Sequence, residues 1–543
     1  MTFFDEKGNE EFRSYAEILV SAKKVLTGFR NAGVQPKDKI IFQLKDNQDF
    51  VTAFWACQLG GFIPVPLTVA PTYKKINNDV KKLSNAWVML DHPRIISDAA
   101  LKPDLDSLNS MFDDWKAETV SINDLIENEE ATEIHNCDKN DVAILLLTSG
   151  STGMPKAVQQ PHINLIRRSA GTSIFNKHHK DDVSFNWMPL DHVGGFVMFT
   201  LRDTFNLCHH MVAPTNYVLE EPLRWLDIMS KHKVSVTWAP NFAYGLVNDR
   251  IKTLKTDGDW DLSNLRFILN AGEAIVAKTA RLFMSNLLKY KIQPTAMKPC
   301  WGMSETCSGV TFNHDFLLEN TSDEDPYVVV GEPIPGFEIR ITDSKGNPVE
   351  NGETGNLEVR GTTVTIGYFN NDKVNKESYT DDGWFRTGDL GILNGRSLII
   401  AGRKKDEIII NGVNYNNAEI ELVVDEIEEV ETSFTAVCAF RENNTNTDKI
   451  ALFFNPKNPD NESLKSLIGK IKEKVIQSIG INLDVIVPVE KEQIPKTGIG
   501  KIQRAKLKDQ LLAGEFDTEI KKVDLLLQNN KTLPNWFFQK SSW

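Results

Sequence analysis

An α/β architecture is predicted by three features of this sequence. Between Tyr15 and Leu67, helical and strand patterns alternate, which favours a sheet joined by crossover helices. Between Gly331 and Tyr368 the chain is punctuated by Gly and Pro and rich in β-branched residues, so a strand-rich subdomain is expected there. Strand and helix patterns then recur between Thr435 and Ile479. At 543 residues the chain exceeds what one core can serve, and roughly two to four domains are expected.

The elements follow in order. Ile18, Leu19, Ala22, Val25, Leu26 and Phe29 have helical spacing over Tyr15 to Ala32, closed by Gly33. Lys39 to Leu44 reads as a strand, Phe50 to Leu59 as a helix and Phe62 to Leu67 as a strand. Phe54 and Trp55 are expected in the core. Val142 to Leu147 is an apolar run that fits a buried strand. A helix begins between His162 and Arg168. Val234 to Pro240 and Leu265 to Leu269 read as buried strands. Farther on, Thr435 to Phe440 and Ile450 to Asn455 read as strands and Leu464 to Ile479 as a helix; Asn416 or Asn417 would cap a helix near Ala418.

Composition narrows the function classes. Hydrophobic residues make up 41% of the chain and the formal charge is −13. That charge argues against nucleic acid, whose phosphates call for a basic surface. The cysteines Cys57, Cys137, Cys208, Cys300, Cys307 and Cys438 show no C-x-x-C pair and no metal spacing, so free thiols in a reducing setting are expected. The N-terminus lacks an apolar signal core, and no apolar run reaches membrane-spanning length. A soluble, cytoplasmic protein without a membrane partner is expected.

The organising stretch is Leu145 to Lys156, LLLTSGSTGMPK. Its glycines allow tight turns that present backbone N–H groups to a phosphate, the hydroxyls add donors, and Lys156 adds charge. No Gly-Lys-Ser/Thr ending follows Gly150, so this is not a strand-to-helix P-loop. Read alone, it is equally a solvated Ser/Gly loop.

The full string TSGSTGMPK resembles the nucleotide-binding loop of the adenylate-forming superfamily. That group holds acyl-CoA synthetases, fatty acyl-AMP ligases, luciferases and the adenylation domains of peptide synthetases. The resemblance spans Tyr15 to Leu511, with further motifs in the family's order. It implies a large N-terminal domain of αβ-layered subdomains plus a β-rich subdomain, residues 1–403, followed by a small mobile α+β domain, residues 404–513. Residues 514–543 are expected to form a linker or docking tail.

The resemblance also implies roles, carried by ATP and Mg²⁺. Thr148, Ser149, Gly150, Ser151, Thr152, Gly153 and Lys156 would grip phosphates. In NWMPLDHVGG, His192 would stand at the mouth of the acyl pocket. Asn270 to Glu273 resembles the substrate-site turn, with Gly272 and Glu273 on the nucleotide side. In Trp301-Gly302-Met303-Ser304-Glu305, Trp301 can stack on adenine and Glu305 is a hard oxygen ligand suited to Mg²⁺. Asp389 would accept two ribose hydroxyls, and Arg403 would contact ribose or phosphate. Lys405 falls on the hinge about which the small domain turns. Lys501, in PKTGIGKIQR, matches the family's catalytic lysine. Outside such strings, a lone His, Glu or Lys is most often structural or merely solvated.

The pocket positions are Val193, Gly194, Leu269, Ala271, Cys300, Ser308 and Gly309, all small or apolar. Amino-acid-activating members usually place an Asp right after the position of His192, to pair with the substrate ammonium. Val193 stands there, and an unpaired buried ammonium is costly, so a carboxylic acid without an α-amino group is inferred. Asp191, one position earlier, keeps the amino-acid reading open through a shift of register.

PLDHVGG, KPCWGMSET and IIINGVNYNNAEIE look most like acyl-AMP ligase loading domains of hybrid peptide–polyketide synthases. That likeness implies transfer to the phosphopantetheine thiol of a carrier protein, with neighbouring synthase domains. Stand-alone fatty acyl-AMP ligases carry an insertion before the Thr-Gly-Asp motif. Tyr368 to Trp384 is too short for it, so coenzyme A stays open as acceptor. A luciferase-like oxidase and a non-catalytic binding module are the remaining alternatives. Trp536, Phe537, Phe538 and Trp543 in the tail are equally a docking segment for a ketoreductase or carrier module, or a disordered end.

Overall fold

The computed structural model describes residues 1–112, 114–148, 155–325, 327–403, 407–410, 413–440, 449–497 and 500–527. Local sequence accounts for the helix ends. Ser14 and Glu17 form a reciprocal capping box on Tyr15–Asn31. Asp46 caps Asn47–Gly60, and Gly61 ends it at φ 70°. Asp460 and Gly480 do the same for Asn461–Ile479.

The N-terminal part is α/β as expected. Strands Lys39–Gln43, Ile63–Pro66, Arg94–Ser97 and Thr119–Ser121 pair in parallel. A longer mixed sheet holds Val183–Asn186, His209–Val212, Val236–Ala239, Phe267–Asn270 and Met297–Met303 in parallel register. It continues antiparallel through Ser308–Phe312 and Val329–Pro333 into the β-rich region of Phe337–Thr342, Thr354–Gly361, Phe385–Asn394 and Ser397–Arg403. Val142–Thr148 and Lys156–Pro161 form an antiparallel hairpin, with Thr148 opposite Lys156. The strand entering the Ser/Gly stretch is therefore followed by an antiparallel partner strand, where a P-loop would have a helix.

The C-terminal part has its own cores. Val430–Phe440, Lys449–Pro456 and Val485–Pro488 form a sheet covered by Asn417–Asp425, Asn461–Ile479, Arg504–Leu512 and Asp517–Leu527. Two apolar clusters here draw only on residues from Ile408 onward. Ile520 and Val523 are buried in them, so the helix Asp517–Leu527 lies in the stretch that the sequence reading gives to a linker or tail. The tail aromatics lie outside the described residues.

One element escaped the sequence reading. Gly194–Leu201 is a π-helix, fully buried, of a kind often found at functional sites. Arg168, also fully buried, donates to the carbonyls of Val197 (3.3 Å), Met198 (3.0 Å) and Gly309 (3.5 Å). It ties the π-helix to the strand opposite. At the far end Arg202 pairs with Asp203 (2.6 Å), and the His210 imidazole lies 2.8 Å from the same carboxylate.

Among the described residues, no helix is long and apolar enough to cross a membrane, and all six cysteines are free thiols.

Candidate active site

The candidate residues come from the ends of the parallel strands, from the antiparallel strands of the β-rich region and from the hairpin. Three groups form.

The first surrounds Glu305. Tyr368 Oη donates to its Oε1 (2.8 Å), and Lys156 Nζ lies 5.1 Å from the Tyr368 ring centre. Gln160 Nε2 donates to the Ser304 carbonyl (2.7 Å), and the Thr365 N–H to that of Glu305 (2.7 Å). The strand after the Ser/Gly loop is thus stitched to the segment holding Glu305. Burial pushes the Glu305 carboxyl up; the Tyr368 hydrogen bond and the charges of Arg403 and Lys156 pull it back. Among the described residues, no group of three or more His, Cys, Asp or Glu could hold a metal ion. A single carboxylate still fits Mg²⁺, which keeps several waters and takes its remaining ligands from substrate phosphates.

The second group surrounds Asp389. Trp301 Nε1 donates to its Oδ2 (2.9 Å), and Arg403 Nε lies 3.0 Å from Oδ1. Asp389 and Arg403 face each other on paired strands. Trp301 is buried, with its indole N–H spent on Asp389. Gly302 is needed for a close approach, since a Cβ there would lie 2.1 Å from the Ser308 carbonyl oxygen. The Met303 N–H donates to Thr306 Oγ1 (2.9 Å), fixing the turn into Ser304 and Glu305.

The third group holds the residues expected to line an acyl pocket. His192 Nδ1 accepts the Gly194 N–H (3.1 Å), which leaves the proton of the neutral ring on Nε2. Burial lowers His192 to about 4; Asp191 opposes this, and Lys501 and Lys82 reinforce it. The imidazole is therefore neutral near pH 7, and the charge of Lys501 reaches it. Asp191 is engaged elsewhere, its Oδ2 accepting the Thr68 hydroxyl (2.5 Å). Val193 and Gly194 are buried. Leu269 and Ala271 are buried at the end of their strand, followed by Gly272 at φ 96°. Cys300 and Gly309 meet on facing strands, and a Cβ on Gly309 would lie 2.5 Å from both Cys300 Sγ and Met198 Cε. Ser308 is buried at φ 98° with its Oγ unpartnered.

Glu273 Oε1 accepts the Phe242 N–H at 2.6 Å. Lys501 sits on a closed turn. The Thr497 N–H donates to the Lys501 carbonyl (2.8 Å), and the Lys501 N–H to Thr497 Oγ1 (3.1 Å). Thr148 ends its strand beside Lys156. Ser149, Gly150, Ser151, Thr152, Gly153 and Lys405 lie outside the described residues.

Several residues here carried no local signal. Tyr368 lies far from Glu305 in sequence, and Gln160 and Thr365 act on backbone carbonyls. Trp238 is a buried strand residue. Its ring would lie 2.2 Å from a Cβ on Gly194, and its Nε1 donates to Asn186 Oδ1 (2.7 Å). The only signal for Trp238 was the strand VSVTWAP ending near the pocket.

Comparison with known proteins gives four matches. A family model described as AMP-binding enzyme matches residues 2–369. The structure of McyG A-PCP complexed with phenylalanyl-adenylate is 40% identical with a TM-score of 0.92, covering 97% of this chain and 83% of that one. A multidomain structure with adenylation, ketoreductase and pseudo-Asub domains, from a keto acid-selecting NRPS module, is 37% identical with a TM-score of 0.92; the match covers 98% of this chain and 46% of that one. Among curated proteins, aspulvinone E synthetase melA of Aspergillus terreus is 32% identical over 533 residues, 95% of this chain and 56% of its own length. The chain spans about half the length of the curated relatives it matches.

Proposed function

This chain belongs to the AMP-binding enzyme family, and from that premise we propose that it activates a carboxylic acid lacking an α-amino group as its acyl-AMP. A substrate carboxylate oxygen attacks the α-phosphorus of ATP, the bond to the β-phosphate oxygen breaks, and pyrophosphate leaves. Such transfers depend on positioning and charge neutralisation more than on covalent help from the protein.

In this reading Lys156 and the Ser/Gly stretch before it hold the departing phosphates. Asp389, fixed by Trp301 and Arg403, takes the ribose, and Lys501 bridges the substrate carboxylate and the α-phosphate. Glu305 would hold Mg²⁺, which offsets phosphate charge when bound.

The observation that carries the choice of acid is the wall at Val193. Residues 192–195 bring no carboxylate to the pocket, and Asp191 turns one oxygen to the Thr68 hydroxyl. An ammonium buried against Val193 would have no carboxylate from residues 192–195 to pair with. A keto acid-selecting module among the neighbours supports the same class. Val193→Asp is the test: exchange with the non-amino acid should fall about tenfold or more, while exchange with an α-amino acid appears. Unchanged selectivity contradicts the assignment.

The second half-reaction we propose is attack by a carrier protein's phosphopantetheine thiol on the mixed anhydride, with AMP leaving. A neighbour solved as an A-PCP pair supports this acceptor. Lys405→Pro is expected to lower thioester formation by about 10²-fold while adenylation stays within about twofold, because a stiffened hinge blocks the turn of the small domain. Equal loss of both steps removes Lys405 from the hinge role.

A further inference from the structure

We propose that Glu273 and Phe242 form a seat that positions the Lys501 turn for adenylation, with Glu273 a positioning residue and not a nucleotide ligand. The inference rests on the adenylation reading above and adds to it a residue pair used in one half-reaction only.

Glu273 follows the strand Phe267–Asn270, and Phe242 is the second residue of the helix Asn241–Lys252. That helix has Pro240 at its N-cap and no side-chain cap of its own. The Glu273 carboxylate supplies one, accepting the Phe242 N–H at 2.6 Å, where the helix end favours negative charge. The hydrogen bond ties the carboxylate to the Phe242 backbone.

The Lys501 turn lies on this pair. Gly500 has φ 79°, and a Cβ on it would come within 2.5 Å of the Phe242 ring. The backbone therefore rests on the ring with no room for a side chain. The cations that act on the Glu273 carboxylate are Lys496, Lys501 and Arg504, all on the C-terminal part. Burial lifts this carboxyl to about 7 against their pull. Its counter-charge is thus borrowed from an element more than 200 residues later in the chain.

The described residues on either side of this turn are held to one another. Lys496 pairs with Ile502 across it, and the Gln503 N–H donates to the Pro495 carbonyl (2.8 Å). Lys496 Nζ sits 3.5 Å from the Phe434 ring centre, and Arg504 grips Glu421 through two nitrogens. A contact with Gly500 or Lys496 therefore places Lys501 as well. Any rotation that lifts the turn off Phe242 removes the seat, so thioester formation should not use it.

The test compares four full-length variants with the wild type, using the acid that exchanges fastest in the panel named in the Discussion. Glu273→Gln keeps an acceptor for the Phe242 N–H and loses only the charge. Its kcat for ATP–pyrophosphate exchange should fall about tenfold with KM for ATP unchanged. Thioester formation from supplied acyl-adenylate and pantetheine should stay at the wild-type rate. Gly500→Ala should lose about 10²-fold in exchange, and Phe242→Ala/Gly500→Ala should recover part of it because the obstructing ring is gone. Phe242→Ala completes the cycle. A rise in KM for ATP at constant kcat, equal loss of both half-reactions, or a double variant no better than Gly500→Ala overturns the seat.

Hydrogen exchange of peptide 495–503 reads the contact without turnover. Faster exchange in Glu273→Gln and Gly500→Ala upholds the seat, and unchanged protection overturns it. A wild type that makes no adenylate, while this protection still depends on Glu273, overturns the activity reading alone.

Discussion

Lys501→Ala should lower acid-dependent ATP–pyrophosphate exchange by about 10²–10³-fold, the usual cost of deleting one preorganised donor from a transition state. Nucleotide binding should change little, because Asp389, Arg403 and the Trp301 segment are braced without help from Lys501. The lysine is delivered by a turn closed on itself through Thr497. Alanine therefore removes the charge and leaves the turn standing. Equilibrium binding of ATP and exchange rates on the same preparation check this. A variant that still makes acyl-AMP near the wild-type rate would remove Lys501 from the mechanism.

A comparable effect on stability is expected at Asp203. Arg202, Asp203 and His210 are all buried, and the carboxylate faces both the Arg202 guanidinium and the His210 imidazole. Burial pushes the Asp203 carboxyl up, but Arg202 and His210 outweigh it and hold it well below the ordinary carboxylate range. Asp203→Ala strands Arg202 in the core, at a cost of about 3–5 kcal/mol. The first unfolding transition in urea should move down accordingly. The π-helix that carries Gly194 ends at Arg202, so selectivity should loosen along with stability. The pH sign follows from the lowered value: the stabilisation is complete above the unfolded carboxylate's pKa, near 4, and is lost as pH falls below it. The wild type should therefore lose stability below about pH 4 more steeply than the variant. Matching slopes would show that Asp203 does not carry this charge.

The sequence made the fold legible where periodicity is strong. Tyr15–Asn31 and Asn461–Ile479 carry apolar faces between capping residues and left-handed or glycine stops, and both lie where the spacing predicts. The buried strands Val142–Thr148 and Val236–Ala239 were legible from β-branched or apolar runs. The π-helix was not. Gly194–Leu201 is apolar at every position except Thr200, so it presents no face for a period to reveal. The partners of the site residues were also hidden. Tyr368 serves Glu305 from 63 residues away and Trp301 serves Asp389 from 88. Such pairings come from sheet register, which no local motif records. Phe242 is the extreme case: it reads as one more apolar helix residue until Gly500 is placed on its ring.

The central claim, adenylation of an acid without an α-amino group, is tested most directly by ATP–pyrophosphate exchange. The panel is phenylpyruvate, 4-methyl-2-oxopentanoate, lactate, 3-phenylpropionate, octanoate and phenylalanine, each with purified full-length chain and Mg²⁺. Strong exchange with one non-amino class and none with phenylalanine is the predicted result. Exchange with phenylalanine alone would contradict it, and would mean that a group other than residue 193 meets the substrate ammonium.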